Sequence, residues 1–308
     1  MKLGVVYGYR KGRWIKHSTD SLLSKFREAL APRGVEVEKI GLLDSRVEIR
    51  NNHLIVRNAF TKKRYNDLDG IHIANWRKAP EIAMALARYT EKRGAKVMNG
   101  EIIRFPAMTK LGEMVRMADK KIPLPDSFFV RDKYLVEMAK REKLPRGFHF
   151  PLIVKSIAGS MGTNNWLVHD FKEFAEIVAL PREQMVVVQN YVPNDCDYRV
   201  LIFGGKVRAV IRRSRQEDAT THVNNTSAGG RGDMVPLDEF PQELKDIALR
   251  AAAATNRKDI AGVDIIVDTE TGKPYVLEVN KTPQIETGSN IDAKTNIFID
   301  YIIGKLQS

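Results

Sequence analysis

The stretch GVDIIVDTETGKPYVLEVN, Gly262–Asn280, sets Asp264, Glu278 and Asn280 inside two otherwise apolar, strand-like runs. A turn centred on Thr271 folds these runs onto each other and brings Asp264 opposite Glu278. Alternation puts Asn280 on the same face and gathers Val263, Ile265, Val267, Tyr275, Leu277 and Val279 on the other. Like charges facing each other across a ladder repel. Two carboxylates and an amide oxygen, completed by water or phosphate, suit Mg²⁺, which would relieve that repulsion. The alternative is an exposed sheet face whose acids meet nearby lysines.

Two further stretches invite chemistry. In PLIVKSIAGSMGTNNWLVH, Lys155 ends a strand and leads into a loop with Gly159, Ser160 and Gly162. Small residues let backbone N–H groups approach phosphate oxygens, and a lysine adds a point charge. No GKS/T follows and no helix, so this is not a P-loop, and an ordinary hairpin is the alternative. In VVVQNYVPNDCDYRV, a strand ends in Gln189, Asn190 and Tyr191 between two units of the chain. A linker of that kind either walls a ligand cleft or merely connects. Asp197 and Arg199 follow at the head of the next strand.

The elements that must position these residues fall into three units. In the first, KLGVVYG reads as a strand and residues 19–32 as a helix capped by Thr19, with Leu22, Leu23, Phe26 and Leu30 on one face. VEVEKI and GIHIAN read as strands, EIRNNHLIVRN as a hairpin, and a helix runs from Pro80 to near Gly94, followed by KVMN. This βαβ-like order predicts an α/β domain. The second unit holds helices over 109–121, 131–142 and 171–179 and the strands SFFV, FPLIVKS, NNWLVH and MVVVQNYV, a small α+β domain. In the third, DYRVLIFGGKVRAVIRRS is a hairpin, 214–233 a mobile loop, and 241–257 and 292–306 are helices.

The 308 residues carry 50 Lys+Arg against 38 Asp+Glu, and the imbalance is local. Residues 1–105 hold 22 basic and 11 acidic side chains, the remainder 28 and 27. A basic first third predicts an anionic partner or a solvated basic surface. No aromatics interleave with these charges as in RNA-binding modules. The single cysteine, Cys196, cannot form an internal disulfide, and the six histidines show no metal-ligand spacing. No run of about 18 apolar residues predicts a membrane span. The opening MKLGVVYGYRKGRWIK reads as a strand rather than an export signal, so a cytoplasmic location is expected.

The ordered set of a lysine before a Gly-rich loop, a hinge, D-x-R, N-x-x-x-G-G, then G-V-D and E-V-N resembles the ATP-grasp superfamily. It is most similar to the RimK-like amino-acid ligases, and the resemblance covers residues from about 97 onward. It implies an α/β (α+β) ATP-grasp fold behind an N-terminal pre-ATP-grasp domain. The domains would be 1–105, 106–189 with the lid loop, and 190–308 with the metal site. Lys110 and Lys155 would contact phosphates, Gly159 to Gly162 would form the lid, and Asn190 and Tyr191 the adenine hinge beside Gln189. Asp197 would meet the ribose, and Arg212 or Arg213 would steady the transferring phosphoryl group. Asn225 and the Gly229–Gly230 pair would lie near the reacting centre, with Asp264, Glu278 and Asn280 serving two Mg²⁺ ions (Mn²⁺ is an alternative).

Several positions depart from the family pattern. Asn164 stands for a lid glycine, which its tolerance of left-handed backbone accommodates. Asn190 stands for glutamate, and Lys281 and Gln284 for small residues near the acceptor.

The reaction implied is ATP-dependent joining of a carboxylate to an amine through an acyl phosphate. The donor would be an amino acid such as glutamate and the acceptor a peptide or protein terminus, an acidic acceptor being compatible with the basic first third. Arg77 and Arg199 are candidate holders of a substrate carboxylate, and a homo-oligomer is compatible with the sequence. Two rivals stand: a small-molecule ligase of the glutathione synthetase or D-alanine–D-alanine ligase kind, and a non-catalytic nucleotide-binding or RNA-associated protein.

Overall fold

The computed structural model describes residues 1–7, 23–51, 53–76, 79–101, 110–130, 132–156, 165–180, 186–215 and 231–308. Strands β1 (Lys2–Tyr7), β2 (Glu36–Gly41), β5 (Gly70–Ile73) and β6 (Lys96–Met98) form a parallel sheet in the order β2-β1-β5-β6. A buried parallel sheet needs cover on its faces. Helix α1, residues 23–30, supplies some through Leu23, Phe26 and Leu30, spaced as one helical stripe. Helix α2 (Pro80–Glu91) supplies more through Ala83, Leu86 and Ala87. Between β2 and β5 the chain makes a separate two-stranded ribbon, β3 (Ser45–Arg50) with β4 (His53–Asn58). Its turn passes through Asn51 at φ 49°.

The second sheet is antiparallel, in the order β7 (Ser127–Phe129), β10 (Val186–Asn190), β8 (Leu152–Ser156), β9 (Asn165–Val168). Helix α3 (Lys110–Asp119) precedes it; α4 (Asp132–Lys140) and α5 (Phe171–Ala179) pack on it around Phe174, Leu135 and Val154. Asp170 caps α5 by accepting from the Glu173 N–H, while the Glu173 side chain reaches back to the His169 N–H.

The third sheet has five antiparallel strands in the order β13 (Arg231–Val235), β12 (Lys206–Ser214), β11 (Cys196–Phe203), β14 (Ile260–Val267), β15 (Pro274–Asn280). Both faces are covered, so β14 is buried along almost its whole length. Val200, Ile202, Val210, Ala261 and Val263 pack on helix α6 (Gln242–Ala254). Leu201, Phe203, Ala209, Ile211 and Ile260 pack on the last helix, α7 (Ile291–Gln307), and through it on Leu3, Val5 and Phe26 of the first unit. The first and third sheets therefore share one core.

Two local readings are corrected. Strand β13 begins inside what the sequence presents as a loop over 214–233; RGDMV has no alternating pattern, and its pairing is supplied by β12. Residues 216–230 of that loop lie outside the described residues. In the β14–β15 hairpin, Asp264 does pair with Glu278, but a bulge follows and Ile265 pairs with Val276. Val276 is thereby fully buried beside Val279, while Tyr275 and Leu277 are half-exposed.

Candidate active site

The site begins where the shared core ends. Along β11, Phe203, Leu201, Arg199 and Asp197 follow on one face; along β12, Ala209, Ile211 and Arg213; along β14, Ile260, Gly262 and Asp264. The rows on β11 and β14 change from apolar to charged at the paired Arg199 and Asp264, and that on β12 one pair further along, at Arg213 opposite Asp197, so the register of three strands delivers a charged cluster at the margin of a core. Gly262 permits it: a Cβ there would stand 2.9 Å from both the Arg199 Cδ and the Pro283 Cβ. The glycine of G-V-D is required by close approach.

Within the cluster, Arg199 grips Asp264 with Nε on Oδ1 and Nη2 on Oδ2, the latter at 2.8 Å. Arg213 lies 3.1 Å from the same carboxylate and holds Asp197 through Nε and Nη2 at 2.5 and 2.9 Å. Burial pushes the Asp264 carboxyl up, but Arg199 and Arg213 outweigh it and hold it below the ordinary value. Burial pushes Asp197 up to about 6, against the pull of Arg213 and with Asp264 adding to the rise. Asp197, 6% exposed, has both oxygens on one guanidinium and stands here as half of a buried ion pair. Arg212 projects from the opposite face and is exposed, interacting with Cys196 and Tyr198. Of the two candidate arginines, Arg213 is the one in the cluster.

Asn280 closes the group, its Nδ2 donating to Glu278 Oε1 at 3.0 Å and lying 3.4 Å from Asp264 Oδ2. Glu278 and Asn280 are half-exposed, so the open side of the cluster carries one acid and one amide. The donor set fits a hard divalent cation: oxygen ligands only, two of them anionic, with room for water or phosphate oxygens. Among the described residues no group of three or more His, Cys, Asp and Glu side chains assembles, so the amide, not a third acid, completes the set.

Lys155, at the end of β8, donates to Gln189 Oε1 at 3.0 Å, and Gln189 Nε2 donates to Ser127 Oγ at 2.8 Å. Burial lowers the Lys155 pKa to about 8; the Lys110 charge, from the first residue of α3, adds to the fall and Glu278 opposes it. The three groups therefore feel each other's fields. Gln189 is buried and serves as a strut for Lys155. The Asn190 and Tyr191 N–H groups are spent on the Asp126 and Pro151 carbonyls, and the Asn190 amide donates to the Gly147 carbonyl. Their backbone N–H groups are therefore not free for a base, which leaves the backbone carbonyls and the two side chains to make such a contact.

Arg77, Gly159, Ser160, Gly162, Asn164, Asn225, Gly229 and Gly230 lie outside the described residues. Three other side chains belong to the site. Glu113, one turn after Lys110, pairs with Lys281 at 2.8 Å; burial raises its pKa against the pull of Lys281. Lys294 donates to the Gln284 and Thr287 carbonyls at 2.8 and 2.6 Å, and burial, with Arg199 next, lowers its pKa to about 8. Lys294 was legible in the sequence: it heads the stripe Lys294, Phe298, Ile302, Leu306, where an apolar residue is expected.

The sequence pattern of the RimK-like ATP-grasp domain matches residues 107–303. The chain belongs to the RimK-like ATP-grasp family. It is 26% identical over 309 residues to a probable alpha-L-glutamate ligase of Maridesulfovibrio salexigens, covering 98% of this chain and 95% of that protein. It is also 26% identical over 233 residues to beta-citrylglutamate synthase B of Homo sapiens, covering 73% of this chain. The matched stretch spans only 57% of the human protein and 49% of its Mus musculus counterpart. Among solved structures, the ATP-grasp ligase PsnB complexed with a precursor variant, Mg and ADP superposes with a TM-score of 0.68 at 16% identity, over 99% of this chain and 98% of that one. The D-alanine–D-alanine ligase of Bacillus anthracis complexed with ATP gives 0.66 at 20% identity, over 100% and 97%. In this RimK-like chain, the sheet carrying Asp264, Glu278 and Asn280 and the strand carrying Lys155 both fall inside the family match.

Proposed function

We propose that the protein is an ADP-forming carboxylate–amine ligase that adds an amino acid such as glutamate to the terminus of a peptide or protein. The observation that carries this is the cluster of Asp264, Glu278 and Asn280 within the electrostatic reach of Lys155 and Lys110. A binding module has little use for paired acids opposite paired lysines. The nucleotide lies between the units 106–189 and 190–308, and residues 1–105 form the unit that meets the acceptor.

A carboxylate is a poor electrophile. Its oxygen attacks the γ-phosphorus of ATP, the bond to ADP breaks, and an acyl phosphate forms. The amine then attacks the acyl carbon, the tetrahedral intermediate expels phosphate, and the amine's proton is released. The chain's own residues neutralise and orient. Lys155 and Lys110 hold phosphate oxygens, with Gln189 and Ser127 fixing the Lys155 ammonium. Arg199 and Arg213, held by Asp264 and Asp197, present guanidinium N–H groups to the migrating phosphoryl oxygens. Asp264, Glu278 and Asn280 would hold Mg²⁺, which when bound offsets charge on the terminal phosphates. Lys294 holds the carbonyls of the 284–287 loop and so fixes the wall beside the acyl group.

The test follows ADP release and product mass with ATP, Mg²⁺ and pooled amino acids, with and without acidic peptides. Amino acid added to peptide is the expected result. Turnover of free amino acids alone would assign the protein to the small-molecule ligases, and no ADP with any pool would end the enzyme reading. Glu278→Gln is expected to lower turnover by about 10²-fold or more while circular dichroism stays unchanged.

A further inference from the structure

The ribbon β3–β4 has no part in the chemistry above, yet its surface is unlike the rest. Ile49 is 78% and Phe60 77% exposed, with Leu43 and Val47 also exposed. These are four of the ten large apolar side chains exposed among the described residues, and all lie within residues 43–60. Single exposed apolar residues are ordinary; a concentration of them marks a contact surface. The register explains the exposure. Val47 faces Val56 and Ile49 faces Leu54. Val56 is fully buried and Leu54 packs beside it in the core under α2, so the β4 half of this face is seated and the β3 half overhangs solvent.

The charge is equally concentrated. Residues 45–64 hold six Lys and Arg against one acid, Glu48, a balance of +5. On the ribbon's other face Arg46, Arg50 and Arg57 all converge on Glu48 at 2.8–2.9 Å, so three guanidiniums share one carboxylate. Among the described residues the ribbon is a two-stranded sheet, which leaves β3 with an outer edge able to accept another strand. The ribbon leaves the first sheet at the carboxyl end of β2, the edge at which the parallel strands β5 and β6 also end. At that edge Asn99 donates to the Ile73 carbonyl at 3.0 Å and reaches the Lys281 carbonyl, next to Asn280, at 3.5 Å. Ligands of open parallel sheets gather at this edge.

We propose that the β3–β4 ribbon docks an extended, acidic peptide segment bearing apolar side chains, the acceptor of the ligase reaction. The aliphatic groups and the open strand edge favour a peptide over a nucleic acid, which would call for a row of aromatic platforms where the exposed large apolar side chains of residues 43–60 include one aromatic, Phe60, in the turn after β4. Calling the peptide the acceptor rests on the ligase reading; the docking itself does not.

The experiment measures fluorescence anisotropy of labelled probes with the full chain, without ATP or Mg²⁺. The probes, each about 12 units long to span the ribbon, are an alternating Glu–Leu peptide, an alternating Lys–Leu peptide and a thymidine strand. The Glu–Leu peptide is expected to bind, more weakly as salt rises, and the other two much less. Ile49→Ser with Phe60→Ser removes the apolar contacts and should weaken binding about tenfold or more. Arg46→Ala with Arg50→Ala should do so at low salt and flatten the salt dependence. The pairs change different residues, so a folding failure in one, seen by thermal melting, leaves the other decisive. Unchanged binding in a folded variant, no binding of the Glu–Leu peptide by the wild type, or preference for the thymidine strand overturns the proposal. If ribbon variants lose the peptide while no acceptor is ever ligated, the docking stands and the ligase reading falls.

Discussion

Lys155 shows how one residue couples burial to chemistry. Its half-buried ammonium is braced by Gln189, and desolvation, with the Lys110 charge, lowers its pKa to about 8 from an ordinary 10.5. A bound phosphate beside it would raise that value again, so nucleotide binding takes up a proton above pH 8. The affinity for ATP is therefore expected to fall as pH rises through 8, approaching roughly tenfold per pH unit. Calorimetry in buffers of different ionisation enthalpy reads the proton uptake directly, and Lys155→Met should abolish it. For folding the sign is opposite. Between pH 8 and 10.5 the unfolded chain holds more protons on this group, so its destabilising effect is full below pH 8 and fades as pH rises through that window.

At the scale of elements, the pair Glu113–Lys281 joins the helix that begins with Lys110 to the loop that follows Asn280. Lysine at 281 departs from the small residue of the family pattern, and Glu113 is its counterpart: the two are 15% and 11% exposed in their side chains. Removing either leaves the other charge nearly buried. Glu113→Gln and Lys281→Met are each expected to cost about 3 kcal/mol, while the double substitution costs little more than one alone. Chemical denaturation of the four proteins in the cycle checks this, and additive losses would show that the pair is not coupled. The β14–β15 bulge belongs to the same scale. It keeps Asp264 opposite Glu278 at the site and sends Val276, not Leu277, into the core.

At the scale of the molecule, Phe298 ties the ends of the chain together. Its ring lies 5.0 Å from Phe203 of the third sheet, 5.1 Å from His72 of the first and 6.0 Å from Phe26 of α1. Asp259 reinforces the same junction, accepting from the Asn99 N–H at 2.6 Å and the Tyr301 hydroxyl at 2.5 Å. Phe298→Ala is expected to cost about 3–5 kcal/mol. Amide exchange should then speed up together in β1 and β11; acceleration confined to β11 would refute the shared core. Among the described residues no helix is long and apolar enough to cross a membrane, in keeping with this layered packing.

The sequence by itself determined what is local. Turn residues and alternation were enough to face Asp264 with Glu278, to set Lys155 one residue from the end of β8 and to outline the helices, because each depends on neighbours a few residues away. Only the tertiary structure decided how the acids are balanced. Arg199 lies 65 positions before Asp264, and which of Arg212 and Arg213 reaches it follows from which face of β12 lies on the shared core. The same holds for β13, whose residues carry no strand pattern and are strand only because β12 pairs with them. Contacts between distant parts of the chain are set by how its sheets stack, and that stacking brought a cluster legible as acids in sequence under the hold of two arginines.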